Sequence, residues 1–390
     1  MKEKKKILIL IPHFLPGNKL GGPVASITNM IESLADVYDF KVLTTDRDLG
    51  DSFAYPDILT NCWINRDKYQ ICYVPKDWFL GMNLIKQINK TDSDILYLNS
   101  FFEFYFSIFI AVIKKIGILK IKDVIIAPRG EFIENCLKIS KWKKKTYTTF
   151  ALSFNIYKNY IWHATTANEG VEIINAMKAP VSLIRVALNM AKIDNDDSIH
   201  LLENTVRKGN CLKIIFLSRI STEKNLDFAL DILQKVKFNV VYDIYGPLEN
   251  KELWNRCLEK IEKMPSNIKV NYCSVVNRED VKKTFARYDL FFFPTVGENF
   301  GHVMVESLLV GTPILISDKT PWRNLNADGL GWDISLDKPQ LFIEAIENMA
   351  RNATTLKDRR GIAEIFKKRL TDPNIYNANR ELFNLDLSHK

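Results

Sequence analysis

Closely spaced cysteines are missing from this chain of 390 residues. Its six cysteines are scattered, no two of them form a C-x-x-C pair, and no histidine stands at ligand spacing from them. This scatter argues against a disulfide framework and against a zinc site, and it is typical of a protein in a reducing cytosol. The cysteines stand at positions 62, 72, 136, 211, 257 and 273.

Long hydrophobic runs are missing too. The first apolar run, at 7–11, is too short for a signal peptide, and the longest, at 104–113, is well short of the roughly 20 residues of a membrane-spanning helix. Glycine and proline are scarce, with 16 and 14 residues, and no repeat recurs at a fixed period, which excludes a collagen-like or low-complexity chain. We therefore expect a cytoplasmic, globular protein of two or three domains that does not span a membrane.

Positive charge is in excess, with a formal net charge of +8, and the lysine clusters lie in the first half of the chain. Two interpretations remain open: solvated faces, or a basic face that meets anionic lipid headgroups or a phosphorylated acceptor at the inner face of the membrane. No RNA- or DNA-binding motif accompanies the lysines, so we do not expect nucleic acid as a partner. The clusters comprise lysines 2, 4, 5 and 6, then 114, 115, 120 and 122, then 138, 141, 143, 144 and 145.

Short apolar strands alternate with helices along the whole chain, which predicts doubly wound parallel sheets. In the first half we predict strands at 6–12, 41–45, 70–74, 95–98, 123–128, 161–165 and 181–185, with helices at 24–34, 101–116, 137–159 and 169–177. In the second half we predict strands at 212–218, 240–245, 268–271, 290–293 and 313–316, with helices at 226–236, 253–264, 278–288, 303–310, 339–351, 355–370 and 375–383.

The pattern breaks once, at an acidic stretch without periodicity near residue 195. We therefore predict an α/β protein with two Rossmann-like domains and a ligand-binding cleft between them. The predicted division is an N-terminal domain at 1–190, a linker at 191–210, a C-terminal domain at 211–370, and a last helix at 371–390 that packs back on the first domain.

The stretch from Thr295 to Leu308 links a predicted strand to a predicted helix through a glycine-bearing turn. Unpaired N–H groups at such a helix start attract anions. Glu298 stands in the turn and Glu306 two helical turns further on. An anion site with two carboxylates beside it suits a ligand that is part phosphate and part polyhydroxyl, such as a nucleotide-sugar.

Two other strand-to-helix junctions offer groups for the same anion. Arg219 and Lys224 flank a short loop in the second domain, where they either reach one diphosphate or are simply solvated. Gly21 and Gly22 precede the first helix, where they either let the backbone approach an anion or form a plain turn. The loop does not match G-x-G-x-x-G, so no dinucleotide fingerprint is present.

Histidines and D-x-D triplets are the remaining candidates. His13 ends the first strand, His302 opens the helix after the glutamate turn, and His163 lies within a strand, where a buried core histidine is the competing interpretation. The triplets at 46–48 and 92–94 are either Mg²⁺ ligands or structural, and we favour structural roles because the second precedes a strand.

Taken together, these residues resemble the family-4 retaining glycosyltransferases of the GT-B fold, in particular a bacterial subgroup that builds surface polysaccharides. The resemblance rests on the E-x7-E pair in its turn and on the Arg/Lys pair upstream. Further matching segments are the first Gly-Gly-Pro loop, Ala127 to Glu131, His163 to Thr165, Thr320 to Arg323, and Asp328 to Trp332. Two departures stand out: Leu98-Asn99-Ser100 replaces a common histidine, and the segment at 186–189 keeps only Asn189 of the usual P-N-G-V.

The resemblance implies roles on the donor side. Glu298 would bind donor-sugar hydroxyls and Glu306 the ribose hydroxyls, while Arg219 and Lys224 would neutralise the leaving diphosphate. The donor site would comprise Gly21, Gly22, Arg219, Lys224, Glu298, Asn299, Phe300, Gly301, His302 and Glu306, with Asn299 to His302 acting through backbone amides.

On the acceptor side, the resemblance leaves Arg129 as a catalytic or acceptor-binding group, with His13 and His163 as further acceptor candidates. It implies a metal-independent retaining hexosyltransferase, without a cofactor, that takes a nucleoside-diphosphate sugar, most simply UDP-linked, as co-substrate. The acceptor would be a glycan or a lipid-linked oligosaccharide. The alternatives are a UDP-sugar 2-epimerase type of enzyme, which needs no acceptor, and a non-catalytic glycan-binding scaffold.

Overall fold

An eight-stranded sheet organises the first half of the protein in a computed structural model that describes residues 3–17, 19, 21–133, 141–193, 211–352 and 355–385. The strand order is β3-β4-β2-β1-β5-β6-β7-β8, and every neighbouring pair is parallel except β3 with β4 at one edge. The strands are β1 Lys5–Leu10, β2 Tyr38–Thr45, β3 Trp63–Asn65, β4 Tyr69–Val74, β5 Ile95–Asn99, β6 Asp123–Ala127, β7 Ile161–Ala164 and β8 Ile184–Val186.

A six-stranded, fully parallel sheet organises the second half, with the order β11-β10-β9-β12-β13-β14. Its central strands are largely buried on both faces, which explains their nearly continuous apolar sequences, such as Leu-Phe-Phe-Phe in β12. The six strands are β9 Leu212–Leu217, β10 Val240–Tyr245, β11 Ile268–Tyr272, β12 Leu290–Phe293, β13 Ile314–Ser317 and β14 Gly331–Ile334.

Helices connect most successive strands in both halves, and the predicted doubly wound α/β architecture is confirmed. The α-helices of the first half are Gly22–Leu34, Leu80–Lys90, Ile110–Lys115, Lys141–Ser153 and Ala167–Met177, with a π-helix at Phe104–Phe109. Those of the second half are Leu226–Leu233, Lys251–Glu262, Val281–Ala286, His302–Leu309, Pro339–Arg351 and Leu356–Leu370, and Pro373–Leu382 follows. Within the described residues no helix is both long and apolar enough to cross a bilayer.

Several element predictions were wrong in detail. The helix Leu80–Lys90 was missed because no side chain caps its start, although Leu80, Leu84 and Ile88 have helical spacing. The edge strands β3 and β14 were missed because each has only three or four residues. The strand predicted at 181–185 is a 3₁₀ turn, Val181–Leu183, that leads into β8. Most of the linker predicted at 191–210, and residues 137–140 of the predicted basic helix, lie outside the described residues.

The described chain forms two compact units, Met1–Ala191 with Pro373–Lys390, and Lys192–Asp372. The last helix therefore belongs to the first unit. Phe383, directly after this helix, is fully buried. Its ring centroid lies 5.2 Å from that of Tyr38 and 6.0 Å from that of Tyr97. Asn379 donates a hydrogen bond of 2.8 Å to the carbonyl of Leu188, which fixes the helix against the segment after β8.

Removing the Phe383 ring tests this attachment. We expect Phe383→Ala to destabilise the first unit by about 3–5 kcal/mol, because the ring fills a closed part of the core. Hydrogen exchange read by peptide should then show the slowest amides of β2 and β5 exchanging at least roughly 10²-fold faster, with the second unit unchanged. Tyr376→Ala, which truncates an exposed ring of the same helix, is the control and should leave both units as they are.

Candidate active site

Three loops meet at the carboxyl edge of the second sheet, where β9, β12 and β13 are neighbours. Asn225, in the loop after β9, donates a hydrogen bond of 2.9 Å to the carbonyl of Pro294, and the hydroxyl of Thr295 donates one of 2.9 Å to the carbonyl of Glu223. The amide of Glu298 in turn donates to the carbonyl of Lys319, at 3.1 Å. Hydrogen bonds from the side chains of Asn225 and Thr295 and from the backbone of Glu298 thus join the loops, and residues far apart in sequence are brought together.

Lys224 and Glu298 form an ion pair at this junction. The Nζ–Oε2 distance is 2.7 Å, and Lys224 is only 9% exposed. The ammonium also lies 5.6 Å from the ring centroid of Phe293, the last residue of β12. A lone ammonium at this depth would be costly, and the carboxylate of Glu298 offsets that cost. The site therefore holds a cation for an anion and an acceptor for hydroxyl groups side by side.

Arg219 lies in the same loop as Lys224 but is exposed. Its Nη1 is 3.0 Å from both carboxylate oxygens of Glu249, and its Nη2 is 3.8 Å from Glu223. An exposed pair of this kind contributes little to stability, so Arg219 can exchange partners at small cost. Glu249 was not predicted from the sequence. The feature that could have indicated it is its position just after β10, which is the neighbour of β9.

Glycine is required at position 301, where the helix His302–Leu309 begins. Gly301 has φ +76°, and a Cβ there would lie 2.4 Å from Cε of Met304 and 3.1 Å from Cγ of Glu298. No side chain caps this helix, and its N-terminus follows directly on the turn that carries Glu298. Such an N-terminus favours an anion through its backbone N–H groups and the helix dipole.

Phe300 and Trp322 hold the turn in place. Phe300 is buried, its ring centroid lies 4.7 Å from that of His302 and 5.4 Å from that of Trp322, and its carbonyl accepts a 2.6 Å hydrogen bond from Trp322 Nε1. The Phe300 side chain therefore packs inside the protein, which leaves only the backbone of Phe300 to contact a ligand. Trp322 positions the turn, a role that the Thr-Pro-Trp-Arg segment alone did not reveal.

Glu306 is a partly buried carboxylate on the same helix. Burial raises the pKa of Glu306 to about 7, while the charges of Arg278 and Lys282 oppose the shift. It has no hydrogen-bond partner among the described residues, so its oxygens keep their capacity to accept bonds from hydroxyl groups.

In the first unit, Gly21 precedes the helix Gly22–Leu34 with φ +56°, and a Cβ added to it would meet nothing within 4 Å. Pro23 stands at the helix start. Open space therefore surrounds the position where a Cβ of Gly21 would stand, and the role of Gly21 and Gly22 in binding an anion stays a prediction. Residues 18 and 20 of the same loop lie outside the described residues.

Arg129 occupies the carboxyl edge of the first sheet in a left-handed conformation, with φ +57°. Its Nε donates to Oδ1 of Asn99 at 2.8 Å, its Nη2 donates to the hydroxyl of Tyr97 at 2.8 Å, and its Nη1 donates to Oδ1 of Asn189. All three partners are uncharged, so they orient the guanidinium without neutralising it. Asn99 and Asn189 lie in the two segments where the sequence departs from the pattern that it resembles.

His163 supports this network from the core. It is 2% exposed, its Nδ1 lies 2.7 Å from the Tyr97 hydroxyl, and its Nε2 lies 2.8 Å from the carbonyl of Ala187. Burial, with the nearby charge of Arg129, lowers the pKa of His163 to about 3, so the ring is neutral. Both nitrogens are occupied, and His163 therefore reaches an acceptor only through Tyr97 and Arg129.

Glu169 supports the loop that carries Arg129. This buried carboxylate accepts hydrogen bonds of 2.6 Å from the amides of Gly130 and Thr165, which ties the loops after β6 and β7 together. Sequence reasoning missed it, because one glutamate in a helix has no visible partner until the strands are paired.

His13 and the two D-x-D triplets are engaged by their own chain. His13 is buried, with Nδ1 3.0 Å from the carbonyl of Arg47. Asp46 pairs with Arg47 at 2.8 Å, and Asp92 pairs with Lys6 at 2.6 Å. Within the described part of the chain, no three His, Cys, Asp or Glu side chains are grouped as metal ligands.

The raised pKa of Glu306 makes stability depend on pH. Because the folded pKa of about 7 exceeds the ordinary value of 4.5, the folded state holds a proton that the unfolded state releases between these values. The second unit should therefore lose stability as pH rises from 4.5 to 7. Glu306→Gln should abolish this decline and raise the melting temperature at pH 8. Equal pH slopes for the two proteins would contradict the assignment.

Comparison with known families identifies the second unit. Residues 201–369 match the family model of the glycosyl transferases group 1. Among curated proteins, the chain is 25% identical over 285 residues to an uncharacterized 41.2 kDa protein in the cps region of Klebsiella pneumoniae, with 69% of this chain and 73% of that protein covered.

Solved glycosyltransferase structures share the fold over nearly the whole chain. Anabaena Alr3699/HepE, crystallised with UDP and glucose, superposes with a TM-score of 0.67 at 15% identity, over 97% of this chain and 98% of that one. Sucrose-phosphate synthase from Thermosynechococcus elongatus superposes with a TM-score of 0.68 at 12% identity, over 98% of both chains. The architecture is the GT-B fold, and with its group 1 domain the chain is a glycosyltransferase.

Proposed function

We propose that this glycosyltransferase is a metal-independent, retaining hexosyltransferase whose donor is a nucleoside-diphosphate sugar. The observation that carries the proposal is the Lys224–Glu298 ion pair, at 2.7 Å, beside the uncapped start of the helix His302–Leu309. A cation and a helix pole suit a diphosphate, and a carboxylate next to them suits the hydroxyls of the attached sugar.

Stabilisation of the leaving group is the main catalytic task in such a transfer. Breaking the bond between the sugar and the diphosphate develops negative charge on the leaving oxygen. Lys224 is held in place by Glu298 and Phe293, so it meets that charge without first being ordered. Arg219, on the same loop, adds a second cation that can leave Glu249 for the diphosphate.

The two glutamates bind different hydroxyls in this proposal. Glu298 contacts the transferred sugar because it lies beside the cation that holds the phosphate. Glu306 lies in the following helix, His302–Leu309, and its oxygens, which have no hydrogen-bond partner among the described residues, suit the ribose diol. A uridine nucleotide is the donor that we favour, and the UDP and glucose bound to the Anabaena neighbour support this choice.

The reaction retains the anomeric configuration in our proposal, by attack of the acceptor hydroxyl on the same face that the diphosphate leaves. The departing phosphate oxygen takes the proton of that hydroxyl, so a new glycosidic bond forms as the sugar–phosphate bond breaks. In the proposal the carboxylates of Glu298 and Glu306 bind hydroxyls, and those of Glu223 and Glu249 contact Arg219. A covalent nucleophile is therefore not part of the proposal.

The acceptor is a glycan or a lipid-linked oligosaccharide in surface-polysaccharide synthesis, bound by the first unit. The cps-region relative supports this setting. Arg129 is the group that we assign to the acceptor, because its guanidinium is oriented by uncharged partners and keeps its full charge. His163 and Tyr97 position it. The lysine-rich first unit would bring the enzyme to an anionic membrane as a peripheral protein.

Loss of Lys224 tests the donor site. We expect Lys224→Ala to lower kcat/KM by about 10²–10³-fold, the effect of removing one preorganised group that stabilises a leaving anion. The donor is first identified by thermal shift against a panel of nucleotide-sugars, since a ligand at 100 times its Kd adds about 2.7 kcal/mol of stability.

Lys319→Ala is the matched control for Lys224→Ala, because Lys319 is exposed on the adjacent loop, with its ammonium 3.7 Å from Asp318. It should retain activity within about twofold. Wild-type activity in Lys224→Ala would contradict the donor site, and nucleotide release that needs no acceptor would favour an epimerase.

The anomeric configuration of the product tests the mechanism independently. We expect NMR of the product formed from an α-linked donor to show an α-linkage, with the same rate in the presence of excess EDTA. An inverted linkage would exclude front-face attack, and loss of activity in EDTA would show that a metal ion shares the role given to Lys224 and Arg219.

A further inference from the structure

Three helical segments of the first unit pack side by side on one face of its sheet. Leu84 of the helix Leu80–Lys90, Phe106 of the π-helix and Ala151 of the helix Lys141–Ser153 belong to one buried cluster. The first two segments follow β4 and β5 directly, so they begin at the carboxyl edge of the sheet. Lys144 near the start of the third lies 4.9 Å from the ring centroid of Phe102, just after β5, so this helix begins there too.

Large apolar side chains are exposed at the starts of these three segments. Trp78 is 99% exposed and Trp142 is 85% exposed, which is unusual for the largest side chain. We define the aromatic face as Trp78, Phe79, Met82, Phe104, Tyr105 and Trp142, all exposed. An exposed apolar surface of this kind marks an interaction site rather than ordinary solvated surface.

Ring contacts connect the π-helix to the helix Leu80–Lys90 beneath the aromatic face. The ring centroids of Phe104 and Tyr105 are 5.0 Å apart, and that of Tyr105 is 6.2 Å from that of Phe109. Phe109 in turn packs on Gly81, where an added Cβ would lie 3.0 Å from the ring. The exposed residues before and after Gly81 therefore adjoin those of the π-helix.

The charge beside the aromatic face is positive. No Asp or Glu occurs between Glu103 and Asp123, or between Glu134 and Glu169. Lys143 and Lys145 are exposed next to Trp142. The acid at the start of the π-helix, Glu103, is turned inward, where it accepts a hydrogen bond from the amide of Phe106. Exposed rings and lysines thus stand together, and Asp77, next to Trp78, is an exposed acid among them.

We propose that the aromatic face docks on the surface of an anionic lipid bilayer. Trp and Tyr rings settle at the boundary between headgroups and acyl chains, while lysines nearby attract anionic headgroups. A second copy of the chain fits less well, because two equally basic faces would repel each other. Arg129 follows β6 at the same edge of the sheet, so docking brings the proposed acceptor-binding edge to the membrane. In that respect the inference rests on the proposed function.

Vesicle sedimentation of the full chain tests the docking without donor or acceptor. We expect the protein to sediment with vesicles of phosphatidylglycerol and phosphatidylcholine, and at least roughly tenfold less with phosphatidylcholine alone or in 1 M salt. Trp78→Ser with Trp142→Ser should lower the partition coefficient at least tenfold. Lys143→Gln with Lys145→Gln should lower it about 25-fold, roughly fivefold for each charge.

Matched controls remove exposed lysines and exposed apolar side chains from the second unit. Lys251→Gln with Lys269→Gln removes two exposed lysines, and Leu341→Ser with Ile365→Ser removes two exposed apolar side chains. Both pairs should bind vesicles like the wild type. Equal losses in the controls, or a wild-type protein that stays in the supernatant, would overturn the proposal.

Two further readouts separate docking on a bilayer from a loss of catalysis and from self-association. Activity on a water-soluble acceptor should be unchanged in the Trp78/Trp142 variant, so loss of docking and failure of the proposed transfer reaction are distinguishable. Light scattering should show one oligomeric state for wild type and variant. A change of oligomeric state with unaltered vesicle binding would instead assign the aromatic face to contact between copies of the chain.

Discussion

The ion pair between Lys224 and Glu298 is the interaction on which the donor site depends. It joins the loops after two adjacent parallel strands, and its 2.7 Å geometry holds a nearly buried ammonium in place. The carboxylate offsets the cost of holding an ammonium at that depth, and without the lysine the turn would carry an unpaired acid beside the N-terminus of a helix. Each residue of the pair thus compensates the charge of the other.

In the first unit a cation is held in place without a carboxylate. Arg129 is oriented by two amide oxygens and a hydroxyl, and none of these groups cancels its charge. His163 completes the arrangement as a neutral ring, because burial and the adjacent guanidinium keep it unprotonated. In the second unit, by contrast, the cations are paired with carboxylates. Cations paired with carboxylates suit a ligand that brings both negative charge and hydroxyls, whereas Arg129, oriented by uncharged groups, suits any acceptor group that accepts hydrogen bonds.

Helix starts at the carboxyl edges of the sheets carry much of the chemistry. The helix His302–Leu309 opens at Gly301, the helix Gly22–Leu34 opens at Gly21, and the aromatic face lies where three further segments begin. This concentration follows from parallel strands, whose carboxyl ends all lie at one edge and whose connecting loops must gather there. Glycine at 301 is needed because φ is positive and Met304 fills the space where a Cβ would stand.

Most strands could be predicted because each is buried on both faces and therefore has a continuous apolar sequence. The short edge strands β3 and β14 could not, since three or four residues carry no period, and the helix Leu80–Lys90 lacked a capping residue to mark its start. Local pattern likewise identified the glutamate turn and the Arg219–Lys224 loop as candidates, because glycine, charge and strand ends are visible in the sequence. Arg129 became a candidate through the family resemblance.

By itself the sequence determined the two doubly wound sheets and the candidate donor residues, since apolar periodicity and turn chemistry act over a few neighbouring residues. Only the tertiary structure decided the partners. It paired Lys224 with Glu298 across 74 positions, gave Asn99 and Asn189 to Arg129, placed His163 in the core, and brought the exposed rings of three segments together. Hydrogen bonds, burial and charge compensation depend on distances in space, and strand order sets those distances.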